Sequence, residues 1–374
     1  MSTNPSSERP PYIDQLRADL RGQPYRPAKR KGRPKCEPPS PEDSRRLFTV
    51  ETGNRWMDIA QREPEAMMLF DEFWHQGELC MLFAGTNIGK SVLAVQIGES
   101  IARRKKIGGF ACQAPAARVL YVDFELSAAQ FGLRYSHAGD RYLFSDNFFR
   151  AQFNFITDTP ENVDENELLI AAIEYKMLQV KAIVLIIDNI TCLRGGTENA
   201  TVALSLMKSL KALKNNHKLS VLVLAHTPKR RQVAPQPISA DDLHGSKLLI
   251  NFADSAFSIG KSMADDGLCY LKQIKQRNTS QRYGDDNVRL CRIQKNGNFL
   301  HFKFSGRGRE LHHLLPAHKH GPVRRVNHEE RADKIARLAA AGLSQRDISK
   351  RLNINLATVN KLIRHGKSAT SYTT

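Results

Sequence analysis

The chain has 374 residues, 41% of them hydrophobic, with 56 Lys+Arg against 38 Asp+Glu and a formal net charge of +18. That length fits one large domain plus a small one, with enough apolar residues for a sizeable core. So basic a balance argues against an enzyme of small metabolites alone. It points to a chain that meets phosphate backbones, where each Lys or Arg contact releases condensed counterions.

Residues 1–45 are rich in Pro, Ser and charge, the composition of a disordered basic tail. Residues 1–50 carry a net charge of +5. Within them, "KRKGRPK" (Lys29 to Lys35) reads either as a generic basic stretch or as an AT-hook-like arm for a narrow minor groove. Residues 46–306 form the expected globular domain, with a net charge of only +4 across residues 51–306. Apolar runs of strand length alternate there with amphipathic segments. "GELCMLFAG" (Gly77 to Gly85) predicts a buried strand and "KSVLAVQIGESIARR" (Lys90 to Arg104) a helix. "RVLYVDFE" (Arg118 to Glu125) predicts a second strand, followed by a helix from Ser127. "DENELLIAAIEYKMLQV" is a helix, "AIVLIIDN" (Ala182 to Asn189) a strand, "NATVALSLMKSLKALKNNH" a helix and "LSVLVLAHT" (Leu219 to Thr227) a strand. Continuous apolar strands separated by helices indicate an α/β fold with a mostly parallel sheet covered on both faces. "DSAFSIG", "LCYLKQIKQR", "VRLCRIQKNG" and "FLHFKFSG" follow with short turns, so the sheet is expected to end in antiparallel strands.

Residues 307–327 read as a linker, whose four histidines lack metal-ligand spacing. Residues 328–366 form a separate helical unit, and 367–374 a disordered tail; residues 307–374 carry net +9. The six cysteines (Cys36, Cys80, Cys112, Cys192, Cys269 and Cys291) show no C-x-x-C and read as reduced. No signal-peptide pattern opens the sequence and no apolar run nears a membrane span, so the expectation is a cytoplasmic protein with no membrane partner.

The chemistry centres on "AGTNIGKSV". Ala84, Gly85, Thr86, Asn87, Ile88, Gly89, Lys90, Ser91 and Val92 match a phosphate-binding loop, except that Ala84 stands where the pattern has glycine. The loop follows a buried strand and opens a helix, whose N-terminus favours anions. Lys90 would reach the β- and γ-phosphates of ATP, and the Ser91 hydroxyl would ligate Mg²⁺. Asp188, after six consecutive apolar residues, is the expected second holder of the Mg²⁺ shell. Polarising the attacking water needs a further carboxylate. Asp123 and Glu125 share one side of their strand, and Glu125, at the strand end where open α/β sheets bind ligands, is the chosen base. His226 ends a third strand, placed to contact the γ-phosphate and report its loss.

A phosphate loop, then strands ending in Glu, Asp and His, resembles the order in RecA-like ATPases. "FELS" and "KQRN" (Lys275 to Asn278) resemble segments of DnaB-type helicases. That resemblance implies that Lys275 and Arg277 reach a neighbouring subunit's γ-phosphate, in a ring-shaped homo-oligomer, a hexamer. "TGNRW", "LFDEFWHQGELCMLFAGTNIGKS", "AHTPKR" and "LHGSKLLINFADSAFSIG" resemble landmarks of RepA-like AAA family ATPases of bacterial plasmids and conjugative elements. A replication initiator or primase would be a further partner.

In the tail, "RADKIARLAAAGLSQRDISKRLNINLATVNKLIR" reads as three helices. Gly342 closes the first, and Ser344 caps the second. The segment resembles the helix-turn-helix of resolvases and response regulators. Its third helix would offer Asn355, Thr358, Asn360, Lys361 and Arg364 to the major groove of duplex DNA, while the ring would hold single strands. The functional expectation is an ATP-dependent DNA motor, a replicative helicase of a mobile element. The alternative is an ATP-switched DNA-binding adaptor that loads or regulates other proteins without unwinding.

Overall fold

Nine strands form one sheet in the computed structural model, which describes residues 48–154, 165–189, 200–227, 236–243, 247–315, 335, 337–339, 341–352 and 359–360. In chain order they are β1 (Leu79–Ala84), β2 (Val119–Asp123), β3 (Phe148–Gln152), β4 (Val184–Asp188), β5 (Ser220–His226), β6 (Ser255–Lys261), β7 (Leu268–Lys275), β8 (Val288–Asn296) and β9 (Phe299–Gly308). Their order across the sheet is β9-β8-β7-β6-β1-β5-β4-β2-β3. The six strands from β6 to β3 pair in parallel, and β7, β8 and β9 complete the sheet antiparallel. "DSAFSIG" is therefore the last parallel strand, β6, rather than the first antiparallel one. β3 was not anticipated: "FFRAQ" carries no long apolar run, and its residues are only part-buried because it lies at the sheet edge.

The described helices of this unit are α1 (Gly53–Arg62), α2 (Lys90–Arg103), α3 (Ala128–Arg134), α4 (Glu165–Val180), α5 (Ala200–His217) and α6 (Lys247–Phe252). The strands read as unbroken apolar runs because both faces of the sheet are covered. In β1, Cys80, Leu82 and Ala84 enter the core that includes α2, whereas Leu79, Met81 and Phe83 enter the core that includes α4 and α5. This two-residue alternation is the pleat of the strand. Burying each such Leu, Met or Phe contributes about 1.5–3 kcal/mol. Gly98, in the middle of α2, permits the close seating of that helix: a Cβ there would lie 2.7 Å from a Phe148 ring carbon and 3.1 Å from Ile186 Cδ1. Among the described cysteines, Cys80, Cys112, Cys269 and Cys291 are buried and form no disulfide.

The chain divides into two compact units, Met1–Leu315 and Pro316–Thr374. The linker expected from residue 307 thus begins later. β9 continues to Gly308, a 3-10 turn follows at Glu310–His313, and Glu310 is fully buried. Its carboxylate accepts from Lys272 Nζ, from the Tyr270 hydroxyl at 3.1 Å and from the Ile238 N–H at 2.7 Å. Composition alone read a polar, His-rich stretch as solvated, and this buried ion pair holds it in the domain.

In the second unit, α7 (Gln345–Leu352) starts at Ser344, whose hydroxyl accepts from the Asp347 N–H at 3.2 Å. Gly342 takes a φ of +83° just before it. Ile335, Ile348 and Val359 form a small core with Leu338, Leu343 and Leu352 packed against it. The basic stretch Lys29 to Lys35 and the candidate DNA contacts Asn355, Thr358, Lys361 and Arg364 lie outside the described residues. Asn360 is half-buried, with its Oδ1 shielded from solvent. No helix among the described residues is long and apolar enough to cross a membrane.

Candidate active site

The C-terminal ends of β1, β5, β4 and β2 stand side by side. Ala84 pairs with His226 across β1 and β5, and Asp123 with Asp188 across β2 and β4. Everything the sequence proposed for the nucleotide, apart from Lys275 and Arg277, therefore converges at one edge of the sheet. Ala84 is the last residue of β1, buried, and not among the residues with positive φ, so the missing glycine imposes no strain. The loop that follows does need glycine at position 89. Gly89 has a φ of +104°, and a Cβ there would meet Ile293 Cδ1 at 2.6 Å and Phe302 Cζ at 2.9 Å. Gly89 immediately precedes α2, so the first N–H groups of the helix, which lack intrahelical acceptors, face the loop.

Lys90 is buried at the head of α2. Its Nζ donates to the carbonyls of Ala84 at 3.0 Å and Gly85 at 3.1 Å, and to His226 Nδ1 at 2.9 Å. Burial lowers the pKa of Lys90, while the nearby Asp188 and Glu125 carboxylates work in the opposite direction. On its other side the His226 ring turns Nε2 toward Glu125 Oε1, at 3.5 Å. The Asn189 amide lies 2.9 Å from the same ring nitrogen and also hydrogen-bonds Glu125. The hydrogen bond from His226 holds the Glu125 carboxyl below its ordinary range, and the positive charge of Lys90 adds to this.

Asp188 is buried, and burial pushes its pKa up to about 6, although hydrogen bonds from the Ser91 and Tyr121 hydroxyls pull it down. Asp188 and Ser91 thus present a carboxylate and a hydroxyl to one point. Hard oxygen donors of this kind fit Mg²⁺, which takes one or two protein ligands and fills its octahedron with phosphate and water. No group of three or more His, Cys, Asp or Glu residues suited to a metal occurs among the described residues, so no all-protein cage competes with that arrangement.

Asp123 does different work from Glu125. Its Oδ1 accepts from the N–H groups of Glu125 at 3.0 Å and Leu126 at 2.9 Å, and its Oδ2 accepts from Arg150 Nε at 2.9 Å. It shapes the turn on which Glu125 stands. Arg150, Tyr121 and Asn189 were missed in the sequence. Asn189 follows Asp188 directly, and Tyr121 is the one hydroxyl in an otherwise aliphatic strand segment; both signals were present but local patterning gives them no role.

Lys275 and Arg277 stand elsewhere. Lys275 pairs with Ala256, which pairs with Met81, so Lys275 lies level with the early part of β1. That is about 10 Å along the strands and about 10 Å across them from Ala84, at 3.3 Å per residue and 4.8 Å per strand. Lys275 Nζ donates to the carbonyls of Ile250 at 2.7 Å and Asn251 at 3.2 Å, and Arg277 donates to Asn251 O and Asp254 Oδ1. Neither reaches the phosphate loop of its own chain.

A strand, a phosphate loop, a helix and flanking strand-end carboxylates are the frame of a P-loop ATPase. Residues 42–232 match the sequence family described as AAA domain, just over half of the chain. The chain belongs to the AAA domain family. The AAA match takes in β1 to β5, with Lys90, Glu125, Asp188 and His226, and stops before β6; β6 to β9 and the second unit lie beyond it. No curated protein matches the sequence. Among solved structures, a KaiC-like protein from the hyperthermophilic archaeon Pyrococcus horikoshii is similar at 14% identity and a TM-score of 0.42, over 62% of this chain and 93% of that one.

Proposed function

We propose that this AAA domain protein is an ATP- and Mg²⁺-dependent DNA motor, a helicase of a plasmid or conjugative element working as a ring, most simply a hexamer. The observation that carries the ATPase part is the convergence of Lys90, Ser91, Glu125, Asp188 and His226 at adjoining strand ends. Lys90 binds the β- and γ-phosphates with its ammonium, in a loop whose backbone and helix N-terminus add to the positive field. Asp188 and Ser91 would hold the cation, whose charge would neutralise that of the transferring phosphoryl group. Glu125, kept ionised by His226 and Lys90, orients and deprotonates the attacking water. His226 lies between Lys90 and Glu125, so it is placed to sense the γ-phosphate that both would touch.

Lys275 and Arg277 lie too far from their own loop to take part in cis, which supports a role against a neighbouring subunit. An arginine so placed typically accelerates phosphoryl transfer by about 10³–10⁵. The DNA part rests on the basic balance of residues 307–374 and on the helix-turn-helix pattern of the second unit. The test is strand displacement on forked DNA with ATP and Mg²⁺, beside ATP hydrolysis by the same preparation. Lys90→Ala should lose nucleotide binding, while Glu125→Gln should bind ATP and stall. Displacement that depends on both residues is the expected result. ATP hydrolysis without any displacement would overturn the helicase reading and leave the ATP-switched adaptor.

A further inference from the structure

The far end of α2 opens on a cleft that ATP hydrolysis does not use. Arg103 is about 20 Å along the helix from Lys90, at 1.5 Å per residue. The cleft has a volume of about 930 Å³ and is open to solvent. Arg103, Arg104 and Lys105 line it from the helix end, Arg141 from the short hairpin pairing Ser136–His137 with Asp140–Arg141, and Asn298 from the turn between β8 and β9. Four cations therefore face one lining carboxylate, Asp140, which already accepts from Asn298 at 3.3 Å.

This wall is held in place from below. Glu99 is buried in α2 and accepts from Arg103 Nε, from the Tyr142 hydroxyl at 3.1 Å and from the Ser145 N–H at 3.1 Å. Arg103 also donates one terminal nitrogen to the Leu143 carbonyl. Arg103 also engages the Tyr142 hydroxyl, whereas the charged groups of Arg104, Lys105 and Arg141 have no acceptor among the described residues. Like charges converging in a cleft repel one another and focus a positive field, so the arrangement favours a polyanion. The ring of Tyr142 packs against Phe299 and Phe144, with centroids at 4.3 Å and 4.9 Å, and the Arg103 guanidinium lies over it at 6.0 Å, so the ring is already engaged. Leu143 is the only aliphatic side chain in the lining. A peptide partner docked by its side chains would need apolar pockets here, and a single leucine does not supply them.

We propose that this cleft binds the phosphodiester backbone of a nucleic-acid strand, without regard to its sequence. The inference rests on the nucleic-acid part of the proposed function and puts a contact on the ATPase unit itself. Arginine forks suit phosphate oxygens geometrically, and the lack of a stacking surface makes the contact indifferent to the bases.

The test is binding of a fluorescent single-stranded oligonucleotide by the full chain across a salt series. The cleft variant is Arg104→Ala/Lys105→Ala/Arg141→Ala. The control, Lys176→Ala/Lys208→Ala/Lys218→Ala, removes the same charge from exposed positions on and beside α4 and α5, on the opposite face of the sheet. Each phosphate of a single strand that the protein ceases to neutralise lowers the slope of log K against log salt by about 0.7. The cleft variant should lose about 2 from that slope, the control nothing, and both should hydrolyse ATP at the wild-type rate. If the triple variant misfolds, Arg141→Ala alone should lose about 0.7. An unchanged slope in the cleft variants, or an equal loss in the control, overturns the proposal. So does a cleft variant that keeps the oligonucleotide and loses binding to polyglutamate. A wild-type chain that binds no oligonucleotide at all overturns the nucleic-acid reading of the protein as a whole.

Discussion

Arg150→Met tests how the turn carrying Glu125 is held. Arg150 stands on β3 with a side chain 15% exposed, and the Asp123 carboxylate it pairs with is fully buried. It also donates to the Leu126 carbonyl and lies over the Phe131 ring, 4.8 Å from its centroid. One side chain thus ties β3, the turn and the start of α3 together. Removing one partner of a buried ion pair costs about 3–5 kcal/mol, because the other charge stays buried without compensation. Arg150 keeps some access to solvent, so a loss of about 3 kcal/mol, the low end of that range, is expected in urea unfolding. Asp123→Asn in the Arg150→Met background should recover about half of it, since the asparagine oxygen still accepts from Glu125 and Leu126 and no charge is stranded. Turnover should fall with Arg150→Met while nucleotide affinity holds, because Glu125 loses its support and Lys90 does not. Stability of Arg150→Met within about 1 kcal/mol of wild type would refute the reasoning, since an exposed pair is worth that much at most.

Asp188→Asn should abolish Mg²⁺-dependent hydrolysis yet stabilise the protein measured without nucleotide or magnesium. The folded carboxyl is raised from 3.8 to about 6, so its contribution is most favourable below pH 4 and is lost as pH rises to 6. The variant should therefore gain about 3 kcal/mol over wild type at pH 8 and almost nothing at pH 4, read from urea midpoints. Gly98→Ala should destabilise by about 1–3 kcal/mol despite alanine's better helix propensity, because the new methyl meets Phe148 and Ile186; thermal unfolding checks it. Lys90→Ala and Arg277→Ala chains, each inactive alone, should regain ATP hydrolysis when mixed; no recovery in chains shown to co-assemble would remove the trans role of Arg277.

Most of the sheet was legible because both of its faces are buried. A strand covered on two sides shows as an unbroken apolar run, and β1, β2, β4 and β5 each did. β3 escaped because an edge strand has no such run. The proposed site residues were legible as a set that the structure brings together: Lys90 and Ser91 open the helix after β1, and Glu125, Asp188 and His226 stand at the ends of neighbouring strands. Glu125 was preferred to Asp123 on position along the strand alone, and the geometry separates the two by their partners. Asn189, Tyr121 and Arg150 were illegible for a different reason. Each acts through a side chain from another strand, and no local spacing records which strands will be neighbours. The boundary at 307 failed in the same way, since the Lys272–Glu310 pair joins residues that are far apart in the chain.

The hairpin of β8 and β9 has a consequence for what counts as the folding unit. Gln96 of α2 exchanges hydrogen bonds with both backbone groups of Phe302, at 3.0 Å and 2.9 Å, and Gly89 lies against Ile293 and Phe302. β6 pairs along nearly the whole of β1. A fragment ending at residue 232, where the AAA match stops, would turn β1 into an edge with a row of unpaired backbone groups. It would also strip Phe257, Ile259, Leu271 and Phe302 from the core under the phosphate loop. The residues that grip nucleotide would then sit on an aggregation-prone half-sheet. The stretch recognisable by sequence is shorter than the stretch able to fold, and the later strands, which carry no catalytic motif in cis, are what let the loop exist as a loop.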